Sequence, residues 1–222
     1  MMNLLSRLYQ RLLSRPGPYI MAQNRRYAAF EIGEGTYGRP EVSFYDAGAT
    51  LKIGSYTSIA PGVQILLGGE HHTGWVTTYP FSLLFDEARS LPGYPASKGD
   101  VVIGSDVWIG QDALILSGAC IGHGAVVAAR SVVKGEVAPY SIVAGSPARH
   151  VRFRFPEETV RALLEIAWWD WHPAEVKRAW PLLQSPDVGA FVARYSKGGA
   201  GRAGAAAPVE ELSGGGKEAQ AL

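Results

Sequence analysis

A parallel β-helix solenoid, turning a corner about every sixth residue, is the fold this sequence predicts. Ile103, Ile109, Ile115, Ile121, Val127 and Val133 fall in unbroken steps of six, and Ile53, Ile59 and Ile65 keep the same step earlier in the chain. Two positions before each aliphatic stands Val101, Val107, Ala113, Ala119, Ala125 or Ser131, and before the earlier three Leu51, Thr57 and Val63. Glycine follows the aliphatic at Gly54, Gly104, Gly110 and Gly122, and the chain holds 27 glycines in all, as frequent tight corners require.

Helix and simple strand both fail this pattern. At about 3.6 residues per turn a helix would scatter the aliphatics around its surface. An alternating strand has no need of a small residue or turn every sixth place. A short strand followed by a corner satisfies both demands, with the aliphatic and the residue two before it pointing inward. Three sides close a coil of about eighteen residues, and coils stack at the usual strand spacing of ~4.8 Å.

The remaining segments are read in chain order. Residues 1–30 form an N-terminal helix and linker, in which Leu4, Leu5, Leu8, Leu12 and Leu13 have helical spacing with Arg7, Arg11 and Arg15 between them. Those arginines exclude a signal peptide or a spanning helix. Packing on protein is the expected role, and weak contact with a membrane surface is the other. Residues 31–152 form the solenoid, interrupted at 68–100 by a loop excursion. Residues 153–195 form one or two capping helices, with Val160, Leu163, Leu164 and Ala167 on one face and Glu157 and Glu158 at a helix start. Residues 196–222 read as a flexible tail.

Composition narrows the function. A formal net charge of +1 gives no electrostatic footprint for nucleic acid. Cys120 is the single cysteine, which excludes an intramolecular disulfide and a Cys-based zinc site and fits a reducing cytoplasm. It precedes an inward-facing Ile121, so its thiol should point outward, with no activating neighbour. Glu70, His71 and His72 are adjacent on extended chain and would chelate poorly, so no metal is expected. His123 falls at a repeat corner and reads as solvated. His150 and His172 lie near the cap with no evident partners, and Trp168, Trp169 and Trp171 read as packing of the cap.

The stretches "GGEHHTGWVTTYPF", "GDVVIGSDVWIG", "VAPYSIVAGSPARHVRFRF" and "LLEIAWWDW" resemble the hexapeptide-repeat acyltransferases, within them the xenobiotic acetyltransferase branch. The resemblance runs from about Ile32 to Tyr195. It implies a left-handed coil, a homotrimer with active sites between subunits, and acetyl transfer from acetyl-CoA to a hydroxyl. The family's catalytic histidine falls on His71, eight residues before Tyr79, with His72 as the alternative where the gap is shorter. Contacts to the co-substrate fall near Gln111, Ala129, Lys134 and Arg149, and acceptor contacts at Tyr37 and Trp75.

Those residue types suit the chemistry. A neutral imidazole, with a reference pKa of ~6.5, can take the alcohol's proton as the thioester is attacked and return it to the CoA thiolate. Lys134 and Arg149 can pair with phosphates by charge. No phosphate-cradling glycine loop is present. The antibiotic-modifying members carry an acidic insertion before the first coil, whereas here only "GEGTYGRPEVSFYDAGATLKIG" connects Gly33 to Gly54. A more open cleft favours a sugar or surface-polysaccharide precursor, with an antibiotic hydroxyl as the second reading and a non-catalytic scaffold as the third.

Overall fold

The computed structural model describes residues 19–196; the leucine-rich segment before them and the tail after them lie outside that range. Three parallel sheets wrap a triangular core. The first face carries β1 (Glu31–Ile32), β3 (Leu51–Ile53), β6 (Val101–Ile103), β9 (Cys120–Ile121) and β12 (Glu136–Val137). The second carries β4 (Ser58–Ile59), β7 (Trp108–Ile109), β10 (Val126–Val127) and β13 (Ser141–Gly145), with β14 (Ala148–Phe153) returning antiparallel on β13. The third holds β2 (Glu41–Ser43), β5 (Gln64–Leu66), β8 (Leu114–Ile115) and β11 (Val132–Val133).

The register is that of the repeat: Ile53 pairs with Ile103, Ile59 with Ile109 and Ile65 with Ile115. These aliphatics are at most 4% exposed, and the residues two before them, Leu51 through Ser131, are equally buried. Each Ile withdrawn from water contributes about 1.5–3 kcal/mol, repeated coil after coil. The glycine after the aliphatic has a steric cause. A Cβ on Gly104 would lie 2.6 Å from the His123 backbone nitrogen in the next coil.

The cap has three α-helices: α2 (Glu157–Ile166), α3 (Pro173–Leu183) and α4 (Val188–Tyr195), following a short α1 (Phe81–Leu84) in the excursion. One or two were expected. Proline divides the segment further, because Pro173 sits in the first turn of α3, and Pro186 lies in the break before α4. His172 caps α3 by accepting from the Ala174 amide, and Asp187 caps α4 through Ala190. Among the described residues no helix is long and apolar enough to cross a membrane.

The expectation for His123 is corrected here. Its ring stacks on Trp169 at 4.7 Å and 8°, and its Nδ1 accepts from the Ser105 amide at 2.9 Å. Burial pushes its pKa down, against a smaller upward pull from Asp170. The corner is covered by the cap, which single-coil reasoning does not anticipate. Cys120 is exposed on the outer face of β9, and burial of its surroundings followed by Glu136 pushes the thiol pKa up.

Candidate active site

The excursion leaves the solenoid after β5 and rejoins it at β6, so it springs from the corner between the third and first faces. Its neck is closed. The Gly69 amide donates to the Ala96 carbonyl at 3.1 Å, and the Ser97 hydroxyl donates to Leu67 at 2.6 Å. Below the neck the Ser117 hydroxyl of the adjoining coil donates to the Glu70 carboxylate and accepts from the Lys98 amide. The second Glu70 oxygen is buried without a partner among the described residues. Gly68 and Gly69 approach Phe44 and Ala47 too closely to carry side chains.

The two histidines above this neck differ in state. His71 is exposed, and its Nδ1 lies 2.6 Å from the Thr78 carbonyl oxygen. A carbonyl only accepts, so Nδ1 carries a proton, and in the neutral ring the lone pair is on Nε2. His72 is tied the other way round, with Nε2–H donating to the Gly93 carbonyl at 2.7 Å. Its ring is stacked on Trp75 at 4.0 Å and 14°, with Tyr94 edge-on at 5.0 Å. His71 presents a free basic nitrogen; His72 is a packing element.

Tyr94 is the residue that sequence reading missed. Its hydroxyl accepts from the His72 amide and donates to the Thr78 carbonyl, both at 3.2 Å. Thr78 therefore receives two donors, and Tyr94 holds the carbonyl that fixes the His71 tautomer. No spacing rule links a tyrosine to a histidine 23 positions earlier across a folded loop. Tyr94→Phe should lower kcat about three- to tenfold, the worth of one hydrogen bond, with KM unchanged in steady-state kinetics.

A family model described as bacterial transferase hexapeptide (six repeats) matches residues 100–135, the coils from β6 to β11. Chloramphenicol acetyltransferase of Escherichia coli is 43% identical over 150 residues, 65% of this chain and 71% of that one. A second chloramphenicol acetyltransferase, from Agrobacterium fabrum, is 42% identical over 155 residues, 66% of this chain and 72% of the other. The chain belongs to the hexapeptide-repeat acetyltransferases, in their xenobiotic acetyltransferase branch. Virginiamycin A acetyltransferase of Staphylococcus aureus is 40% identical over 148 residues, covering 64% of this chain and 66% of that protein.

Within this xenobiotic acetyltransferase chain the other candidate residues are spread over different edges. Gln111 and Ala129 stack at the corner between the second and third faces, where the Arg130 amide donates to the Gln111 carbonyl at 2.8 Å. Arg149 lies on β14 opposite Ala144, near the same edge, with an exposed side chain. Lys134 stands apart, at the far end of β11 on the corner that carries the excursion. Tyr37 bridges to Ser58 on the second face and is 41% exposed, whereas Trp75 rides on the excursion. One protomer does not bring Tyr37, Trp75 and the Gln111 edge together.

A cavity of about 400 Å³ lies between the Ala47–Ala49 connection and the excursion. His72 lines it and His71 does not. Small and backbone groups make up most of the remaining wall, including Gly93, Ala96 and Ser97.

Proposed function

We propose that this protein transfers the acetyl group of acetyl-CoA to an alcohol, with His71 as general base. The observation that carries the reading is the Nδ1–H to Thr78 contact, which in the neutral ring puts the lone pair on Nε2, a nitrogen with no partner among the described residues. The acceptor hydroxyl gives its proton to Nε2 as its oxygen attacks the thioester carbon. A tetrahedral intermediate forms, the carbon–sulfur bond breaks, and the proton on Nε2 passes to the CoA sulfur. The acyl group never resides on the protein. Cys120 lies outward on the first face, with a thiol pKa pushed further up.

A trimer with its site at the seam between subunits completes the reading. Val76, Leu84 and Leu91 are each more than half exposed on the excursion. Apolar side chains so displayed favour a covering partner. A neighbouring copy would bring its Gln111 edge to His71, with Arg149 and Lys134 as phosphate partners and Tyr37 and Trp75 toward the acceptor.

For the acceptor, the relatives' names favour an antibiotic such as chloramphenicol or virginiamycin A. The short connection from Gly33 to Gly54 favours a glycan instead, and this is the second reading. Release of free CoA thiol from acetyl-CoA decides between them. Chloramphenicol and virginiamycin A are tested beside a panel of free and nucleotide-linked sugars. Release with an antibiotic supports the first reading, and release with sugars alone moves the acceptor to the second. Silence with every acceptor would overturn O-acetylation of both classes.

A further inference from the structure

The solenoid and its helical cap do not close fully on one another. At the corner between the first and second faces, Gly35, Tyr56, Asp106, Gly124 and Tyr140 occupy equivalent places on successive coils, all at positive φ from 55° to 71°. Glycine makes room for tyrosine in this column. A Cβ on Gly35 would lie 2.7 Å from the Tyr56 ring, and one on Gly124 2.5 Å from the Tyr140 ring. Asp106 stands between the two rings. Above them the cap leaves a cavity of about 320 Å³. It is a cleft open on one side, with room for roughly ten waters.

Its lining combines a polar floor with aromatic walls. Arg154 crosses the floor, with Nη1 donating to the Gly124 carbonyl at 2.6 Å and to Asp106 Oδ2 at 3.2 Å. The same guanidinium lies 5.2 Å from the ring centroids of both Tyr140 and Phe155. Tyr140 is 1% exposed, and burial first, then Asp106, drives its pKa far up. That hydroxyl stays a neutral donor. Trp168, tilted against Tyr56 at 5.1 Å, supplies an aromatic wall.

We propose that this cavity is a second binding site, for a neutral, ring-bearing amphipathic molecule. Its rings would lie against Trp168 and Phe155, and its polar group would meet Asp106, Arg154 and the Tyr140 hydroxyl. Neutrality follows from the lining. Among the described residues Asp106 and Arg154 are its only charged lining groups and they are paired with each other, so a charged ligand would lose its water without gaining a free counter-charge. The site is separate from the excursion, which springs from a different corner and shares no lining residue with it. The inference does not depend on the acceptor or on His71.

N-phenyl-1-naphthylamine, a neutral dye with a single N–H donor, is a suitable probe with the full-length protein. Tryptophan is excited and dye emission is read as the probe is titrated. Saturable binding at one site per chain is expected. Val188→Trp fills the cavity from α4, and Gln184→Trp obstructs its mouth. Each should weaken binding at least about tenfold while acetyl transfer stays at the parent rate. The anionic relative 8-anilino-1-naphthalenesulfonate should bind at least about tenfold more weakly than the neutral dye. No saturable signal, or undiminished affinity in whichever of the two variants folds, would overturn the site. Equal affinity for the two dyes would overturn the ligand class.

Discussion

His71→Ala is expected to lower kcat by at least ~10² while acetyl-CoA affinity stays within about twofold of the parent. The expectation rests on what the substitution removes. General-base transfer of a proton from an alcohol is worth roughly 10²–10⁴-fold, and no second imidazole stands ready to replace it. His72 has its Nε2 committed to Gly93 and its face committed to Trp75. His72→Ala should therefore damage the loop more than the chemistry, with a smaller fall in kcat and a lower melting temperature. Steady-state kinetics and equilibrium titration with acetyl-CoA separate the two. Near-normal turnover in His71→Ala, with the loss transferred to His72→Ala, would reverse the assignment.

Gly104→Val should be among the most damaging single changes to the fold, with a loss of about 3 kcal/mol or more. Even the Cβ alone would meet the His123 amide nitrogen at 2.6 Å, His123 Cα at 2.9 Å and the Gly122 carbonyl carbon at 3.0 Å. All three are backbone atoms, so no side chain can swing away. The coils cannot part locally either, because the Gly104 amide donates to the Ile121 carbonyl at 2.7 Å. Thermal or urea unfolding measures the loss. A valine variant within 1 kcal/mol of the parent would mean the coils yield more readily than close-packed β-structure does.

Which parts of this molecule were legible beforehand follows from which interactions are periodic. Steps of six encode the coil, its inward side chains and its register directly, because each aliphatic packs on the one a coil above. The excursion was visible as the place where the steps stop. Its internal wiring was not. The Thr78 carbonyl and the Tyr94 hydroxyl meet because a closed neck folds residues sixteen apart onto each other, and nothing in the spacing encodes that. His123 departs from its expected exposure for a similar reason. Its surroundings come from Trp169, on a cap that docks from far along the chain. The cap holds more helices than its sequence suggests because prolines that break a helix also start one.

The antiparallel return of β14 over β13 has a consequence for the solenoid as a material. Stacked parallel coils are open-ended by design, and a bare terminal strand would recruit another chain and grow a fibre. β14 occupies that row of amides and carbonyls on the second face. Arg149, His150 and Arg152 stud it with polar side chains, and its direction opposes the one a further coil would need. A reversed strand thus ends the stack as a period ends a sentence, and keeps a polymerisable architecture finite.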